Sequence, residues 1–277
     1  MEHPESPQAP HFTRILVVLA TYNEKENLPK LLELIQAETE AIRKRYACVF
    51  DILIVDDNSP DGTGTWCEEN RVRFSNMTCI HRNGKKGLGS AIIAAMRHAV
   101  THDYHRMVNL DADLSHSPRH LPALLGIHEI LSTTEISLDF QKKPLPATAD
   151  VVIGSRYIPG GGISGWKITR HIMSRGINFV ARTLLGLSVR DISGSYRNYA
   201  VDKLQMLDFS KMESAGYSFF EEILWRLKRV GADMQEIPIH FVDRQAGSSK
   251  LNWRESLRAL MLLGKLGIKN RMERIDN

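Results

Sequence analysis

Strand-length apolar runs alternate with helix-length segments through the first half of the chain, and that alternation leaves few folds open. Arg14-Ile-Leu-Val-Val-Leu-Ala20 reads as a buried strand, followed by helical periodicity from Leu28 to Arg45. Asp51-Ile-Leu-Ile-Val-Asp56 is a second buried strand, and Gly62 to Phe74 reads as helical. Met77 to His81 is a short strand, and Leu88 to Val100 is a helix of small residues. The run Arg106-Met-Val-Asn-Leu-Asp111-Ala-Asp113 is apolar enough to be buried. A helix follows near Leu121 to Leu131, then the strand Asp150-Val-Val-Ile-Gly154. Continuous apolar strands separated by such helices predict an α/β fold: a mostly parallel, Rossmann-like sheet flanked by helices on both faces.

In sheets of this kind ligands bind beyond the carboxyl ends of the strands. The acidic groups lie at those ends: Glu24, then Asp56 and Asp57, then Asp111 and Asp113. Two carboxylates one residue apart at a buried strand end cost free energy unless a cation shares them. Such hard oxygen donors suit Mg²⁺ or Mn²⁺, which usually sit between carboxylates and a diphosphate. A plainer reading exists for the second cluster, because Asp56 to Gly62 also has the composition of a turn with Asp61 as a helix cap. Gly87-Leu-Gly89 similarly reads as a helix start. No H-E-x-x-H and no clustered Cys/His motif occurs, which argues against zinc; no Gly-x-Gly-x-x-Gly follows the first strand, which argues against a dinucleotide-dependent oxidoreductase.

Composition narrows the setting. The 277 residues are 43% hydrophobic and 25% charged, ordinary for a globular chain, and a net charge of +4 is too small to argue for nucleic acid as a partner. Cys48, Cys67 and Cys79 are odd in number and form no C-x-x-C, so a reducing compartment fits better than a disulfide framework. Residues 1–12 are polar and proline-rich, the expectation being a disordered tail and no signal peptide. No run reaches the roughly 18 apolar residues of a membrane span. The segment from Ser132 to Thr148, with Lys142, Lys143, Pro144 and Pro146, reads as a surface insertion. Trp253 to Lys269 intersperses Leu257, Leu260, Met261, Leu263, Leu266 and Ile268 with Arg254, Arg258, Lys265 and Lys269. That is the pattern of an amphipathic helix for a membrane interface or a partner, or of a terminal helix packed on the core. The expected organisation is a tail at 1–12, one catalytic domain at 13–251 and a docking helix at 252–277.

Four blocks then stand in order: Thr21-Tyr-Asn-Glu24, Val55-Asp-Asp-Asn-Ser-Pro-Asp-Gly-Thr63, Gly87-Leu-Gly89 and Asp111-Ala-Asp-Leu114. Together they resemble the family 2 inverting glycosyltransferases of the GT-A fold. Gly154-Ser-Arg-Tyr157, Ser174-Arg-Gly-Ile-Asn178, Asp191-Ile-Ser-Gly-Ser-Tyr-Arg197 and Val242-Asp-Arg-Gln-Ala-Gly-Ser-Ser-Lys250 narrow the resemblance to the dolichol-phosphate mannose synthase branch and its polyprenol-phosphate relatives. The resemblance spans roughly Arg14 to Leu251. It implies transfer of mannose from GDP-mannose to a dolichyl or polyprenyl phosphate at the cytoplasmic face of a membrane, with Mg²⁺ or Mn²⁺. Some relatives carry C-terminal spans, so a small membrane-anchoring subunit is a further expectation here.

By that resemblance Ala20, Tyr22, Glu24, Val55, Asp56 and Asp57 line the nucleotide. Asp111, Ala112 and Asp113 bind the diphosphate, with Asp111 and Asp113 as metal ligands. Arg156 lies near the sugar phosphate, Arg244 and Lys250 close over the donor, and Arg170 meets the lipid phosphate. Asp113, Arg156 and Arg170 are thus the expected catalytic residues. Two positions depart from the family pattern: Ala20 replaces the usual proline, and Ser115 stands where some members have glutamine, keeping an oxygen but losing reach. The residues alone do not separate guanine from uracil, so a UDP-glucose-dependent glucosyltransferase is one alternative. A catalytically silent nucleotide-binding subunit is another, opposed by the intact Asp111, Asp113, Arg244 and Lys250.

The chemistry is coherent without the resemblance. Glycosyl transfer passes through an oxocarbenium-like state whose leaving group needs stabilising. A lipid phosphate has a second pKa around 6 and is already a nucleophile at neutral pH, so its site needs cations more than a base. Arg156, Arg170 and Arg175 are suitable, the last two on one predicted helix. Tyr196, Tyr199 and Tyr217 read as core. His116 reads as a surface or supporting residue. Glu221 and Glu222 read either as a solvated helix face or, for one of them, as a group facing the acceptor.

Overall fold

The computed structural model describes residues 12–128, 142–214, 216, 218–243 and 253–272, with side chains in the last helix from 261 to 271. The strands are β1 (Thr13–Thr21), β2 (Cys48–Asp56), β3 (Met77–His81), β4 (Arg106–Asp111), β5 (Val151–Ser155), β6 (Gly162–Ser164), β7 (Arg197–Ala200), β8 (Met234–Pro238) and β9 (His240–Val242). The helices are α1 (Leu28–Arg45), α2 (Thr63–Glu69), α3 (Leu88–Thr101), α4 (Leu121–Leu124), α5 (Ile168–Leu185), α6 (Val201–Gln205), α7 (Phe219–Arg229) and α8 (Trp253–Met272). One seven-stranded sheet runs β3-β2-β1-β4-β7-β5-β8, and β6 pairs with β9 in a small second sheet.

The strands read as continuously apolar because both faces are covered, and each strand divides its side chains between two cores. On one face Leu16, Val18, Leu53, Val55 and Met107 pack with α3, α7 and Leu263 and Leu266 of α8. On the other, Ile15, Val17, Leu19, Ile52, Ile54, Val108 and Leu110 pack with α1 and α4. The sheet is parallel except at β7, which lies antiparallel between β4 and β5. Arg197 opens β7 and is fully buried; its guanidinium donates to the carbonyls of Phe220 at 2.9 Å and Ile192 at 2.5 Å.

Two expected helices differ. The helix after Gly62 ends at Glu69, and the following Asn-Arg-Val-Arg offers no buried apolar position until Phe74, with Val72 left exposed. The cap of that helix is Gly62 rather than Asp61; Asp61 instead accepts from the Thr63 amide and hydroxyl and from the Lys25 amide. Near Leu121 there is a 3₁₀ turn (Pro118–His120) and only the four residues of α4, because Gly126 turns the chain through a positive φ of 78°. Residues 129–131 of that expected helix, the 1–11 part of the expected tail, and Tyr217 lie outside the described residues. So do residues 132–141 of the insertion; its later part docks beside the core, Lys143 exchanging backbone hydrogen bonds with Arg45 and Ala47.

The solvated-face reading of α7 is overturned: Glu221 and Glu222 are both buried. Glu222 is compensated, accepting from the amides of Glu213 and Ser214 and from Arg226. Glu221 keeps one carboxylate oxygen buried without a hydrogen-bond partner, and burial pushes its pKa up to about 7. The folded state therefore retains a proton that the unfolded chain loses between the ordinary glutamate range and about pH 7, and stability falls as pH rises through that window. Glu221→Gln should unfold at higher urea than the parent at pH 8, by about 3.5 kcal/mol at roughly 1.4 kcal/mol per pKa unit, and at the same urea at pH 4.5. Equal midpoints at pH 8 would show that the carboxyl is not held protonated.

Candidate active site

Strand register, not any single motif, assembles the site. Ala20 pairs with Val55 on one side and Asp111 on the other, and Thr21 pairs with Asp56. The three carboxyl-terminal strand ends thus align, and the loops leaving them share one edge. Among the residues expected at the nucleotide, Asp56 is buried and spends its carboxylate on the loop: it accepts from Thr21 Oγ1 and the Ser59 amide, each at 3.0 Å. Ser59 Oγ in turn accepts from the Asn23 amide, and Thr63 Oγ1 from the Glu24 amide. Glu24 accepts from Asn27 Nδ2 at 2.8 Å, and the Lys85 ammonium lies 4.1 Å over the Tyr22 ring.

Asp57 ties this wall to the glycine block. It accepts from the amides of Lys86 and Gly87 and pairs with Arg82 at 2.7 Å, both side chains nearly buried. Gly87, at φ 93°, is also the start of α3, so the block is a helix entry held by a carboxylate from β2's loop. These bonds make the segment an ordered, acid-rich wall.

Asp111 ends β4 and Asp113 stands just beyond it; both are only partly buried. Asp111 accepts from Ser195 Oγ at 2.7 Å, and Asp113 from the Ser115 amide at 3.1 Å. Leu114 adopts a left-handed φ of 63°, which turns the chain sharply after the pair. Ser115 is buried, and its hydroxyl has no hydrogen-bond partner. Two carboxylates plus an unsatisfied hydroxyl form a hard-oxygen donor set, and it fits a divalent cation. His116 is buried as well, against the surface reading. The Asp111 amide donates to its Nδ1 at 3.2 Å, and burial pushes its pKa down against the opposing pull of Asp111 and Asp113. Its 3.6 Å approach to the Asp111 carboxylate is thus a neutral contact that braces the strand end.

The three candidate arginines are placed differently. Arg156 is buried in a forked pair with Asp191: the Arg156 amide and Nε donate to one carboxylate oxygen at 2.9 and 2.7 Å, and Nη2 to the other at 2.7 Å. Burial works against the Arg156 charge, but Asp191 outweighs it and holds the guanidinium above its ordinary pKa; burial likewise opposes the Asp191 carboxylate, which Arg156 holds below its own. Arg170 is partly exposed, lies 4.0 Å over the Trp166 ring and pairs with Asp243 at 3.0 Å. Arg175 is exposed and lies 5.8 Å from the Tyr157 ring centroid, with no ion pair among the described residues. Arg244 and Lys250 lie outside the described residues.

Sequence reasoning assigned no role to Asp191, Ser195, Trp166 or Asp243. Asp191 and Ser195 lie inside a recognised block, but a lone acid or hydroxyl carries no signal until the fold reveals its partner. Asn178 is similar: its Oδ1 accepts from the amides of Ile192 and Ser193, pinning the loop that carries Asp191 to α5.

The glycosyl transferase family 2 pattern matches residues 16–131. The chain is 35% identical over 263 residues to a polyprenol monophosphomannose synthase of Mycolicibacterium smegmatis, covering 94% of this chain and 89% of that one. It is 37% identical over 239 residues to an undecaprenyl-phosphate mannosyltransferase of Micrococcus luteus, covering 86% and 88%. In fold it is similar to glucosyl-3-phosphoglycerate synthase of Mycobacterium tuberculosis, solved with Mn²⁺, UDP and product, at TM-score 0.57 and 16% identity over 93% of this chain and 80% of that one. A mannosyltransferase of Pyrobaculum calidifontis, solved with GDP-mannose and Mn²⁺, has TM-score 0.51 and 15% identity over 88% of this chain and 61% of that one. Identity above a third along nearly the whole of both curated relatives is common descent: the chain belongs to the family 2 glycosyltransferases, in the branch of the polyprenol-phosphate mannosyltransferases.

Proposed function

We propose that this chain transfers mannose from GDP-mannose to a dolichyl or polyprenyl phosphate with inversion, giving the β-mannosyl phosphate lipid and GDP. The observation that carries the reading is the alignment of Ala20, Val55 and Asp111 across neighbouring strand ends, with Asp113 just beyond. In this reading the wall formed by Ala20, Tyr22, Glu24, Val55, Asp56 and Asp57 receives the nucleotide. Asp111, Ala112 and Asp113 face the diphosphate, and the two carboxylates hold Mg²⁺ or Mn²⁺. When bound, that ion offsets the charge that builds on the departing diphosphate. A phosphate oxygen of the lipid forms the new bond to the anomeric carbon as the sugar–diphosphate bond breaks, so the linkage inverts. No proton need be removed from the dianionic acceptor.

The cation accounting favours Arg170 as the acceptor contact. Arg156 is neutralised by a buried carboxylate, and breaking such a pair costs about 3–5 kcal/mol. It therefore orients Tyr157 and Trp166 at the site instead of leaving to meet a phosphate. The Arg170–Asp243 pair is partly exposed, is worth roughly 1 kcal/mol or less, and can exchange for a phosphate. Arg175 is the lesser candidate. Arg244 and Lys250, one and seven residues past Asp243, are assigned to the donor.

A membrane surface fits the same end of the molecule. Helix α5, which carries Arg170 and Arg175, exposes Ile168, Ile172, Met173 and Phe179, the last at 66%. Exposed apolar residues of this size beside basic ones suit a peripheral helix at a lipid interface. Among the described residues no helix is long and apolar enough to cross a membrane. The reaction unit then runs from 13 to 251; Leu263 and Leu266 hold α8 on the core, and its exposed Met261 and Ile268 are left for attachment at the cytoplasmic face, to lipid or to a small anchoring subunit.

The deciding assay supplies Mn²⁺, a polyprenyl phosphate and labelled GDP-mannose or UDP-glucose. Mannose should enter the lipid fraction; glucose entering instead, or neither, overturns the reading. Asp111→Asn or Asp113→Asn should lower turnover on the order of a hundredfold or more with unchanged melting temperature. Near-normal turnover at ordinary metal concentration removes the metal assignment. Arg170→Ala should lower kcat/KM for the lipid phosphate about tenfold or more while leaving GDP-mannose affinity unchanged, since a charge-assisted contact is worth about 1.5–3 kcal/mol. The opposite split would move Arg170 to the donor. Ile172→Asp combined with Phe179→Asp should reduce co-flotation with anionic vesicles; undiminished flotation would remove α5 from the interface.

A further inference from the structure

Behind the wall that carries Asp56 and Asp57, α2 packs on β3, the outermost strand of the large sheet, and their contact gathers three potential metal ligands. A carboxylate oxygen of Glu68, Cys79 Sγ and a ring nitrogen of His81 all lie within 4.8 Å of one another. Cys79 and His81 are two residues apart on β3, so they project on the same face of the strand. Glu68 comes from the last turn of α2 and meets His81 Nε2 at 2.7 Å. The packing leaves the imidazole room only because residue 64 is glycine: a Cβ there would lie 2.8 Å from His81 Nδ1 and 3.2 Å from Asp56 Oδ2. A second thiol, the fully buried Cys67, lies beside Cys79. None of the three cysteines is in a disulfide.

We propose that Glu68, Cys79 and His81 form a second metal site, for a borderline-soft ion of the Zn²⁺ class, chemically distinct from the hard-oxygen pair Asp111 and Asp113. One thiolate, one imidazole and one carboxylate are the donors that Zn²⁺ takes, with distances near 2.0–2.3 Å that bring ligand atoms under 4 Å apart. Mg²⁺ and Mn²⁺ are disfavoured by the sulfur and nitrogen donors. The charges balance: a dication, one thiolate, one carboxylate and a neutral imidazole sum to zero. Binding forms a metal–sulfur bond in place of the Cys79 S–H bond, and the proton leaves to solvent. The ring and carboxylate are half-exposed, at 50% and 39% for their side chains, so an ion has a way in and a solvent molecule completes the shell.

The ion would clamp α2 to β3 directly beneath the nucleotide wall. His81 pairs in register with Asp56, and the next residue, Arg82, holds Asp57. The site is therefore structural, steadying the loop that runs from Asp56 to Thr63, and its existence does not depend on which sugar or lipid the enzyme uses.

The test uses the full chain, stripped with chelator and titrated with Co²⁺ alone as a spectroscopic probe, then with Zn²⁺ in competition. One equivalent of Co²⁺ should produce thiolate-to-cobalt charge-transfer absorption, Zn²⁺ should abolish it, and Zn²⁺ should raise the melting temperature. Cys79→Ser should abolish the band, while an Asp111→Asn, Asp113→Asn double variant should retain it. His81→Gln and Glu68→Gln, at exposed positions that cannot unfold the chain, should each weaken Zn²⁺ at least about tenfold. No thiolate band in the folded parent overturns the proposal, as does a band that survives Cys79→Ser or disappears in the Asp111/Asp113 double variant. Should Cys79→Ser fail to fold, unchanged Zn²⁺ affinity in both exposed variants overturns it equally.

Discussion

The buried pair between Arg156 and Asp191 is the constraint on which the far half of the site depends. Arg156 follows β5, while Asp191 sits in the loop that returns to β7, and the two close a span of 35 residues through two side-chain bonds and one amide bond. Around that fork the guanidinium packs among Tyr157, Trp166 and Phe241, and Ser193 accepts from it at 3.0 Å. Asn178 then fastens the same loop to α5. An uncompensated charge in this position would be costly, so the pair fixes where β7 enters the sheet, and with it Ser195 and its bond to Asp111. Helix α5 and the acidic pair are thus positioned through one loop.

The loop after β2 is organised differently. Asp56 and Asp57 bond mainly to backbone amides and nearby hydroxyls, which makes a rigid loop from residues that favour turns. The segment after β2 is therefore preformed, whereas Arg170 is held by a partly exposed partner. The α2–β3 contact flanks that preformed segment.

The sequence by itself determined a good deal. Apolar period and length gave β1, β3, β5, α1 and α3 to within a residue of their ends, because strands buried on both faces leave little choice of residue; β2 begins three residues earlier than its apolar run, and β4 ends at Asp111 rather than Asp113. The order of acidic groups after those strands placed Asp56, Asp57, Asp111 and Asp113 along one edge of the sheet, since parallel topology forces successive carboxyl ends to one side. The recognised blocks then named the family. Where the reading slipped, local pattern was weaker than a backbone requirement: α2 stopped where the apolar positions ran out, and α4 stopped at a glycine turned to positive φ.

Only the tertiary structure decided which charges are available for chemistry. Arg156 and Arg170 are alike in sequence, yet one is locked by a fully buried acid and the other shares a partly exposed one. Glu221 and Glu222 are adjacent, yet one is fully hydrogen-bonded and the other keeps an unpartnered oxygen. Glu68, Cys79 and His81 obey no linear ligand spacing and meet only because α2 folds back on β3 across a glycine. Each of these outcomes is set by distance and burial between residues far apart in the chain, and such pairings leave no periodic trace in the sequence.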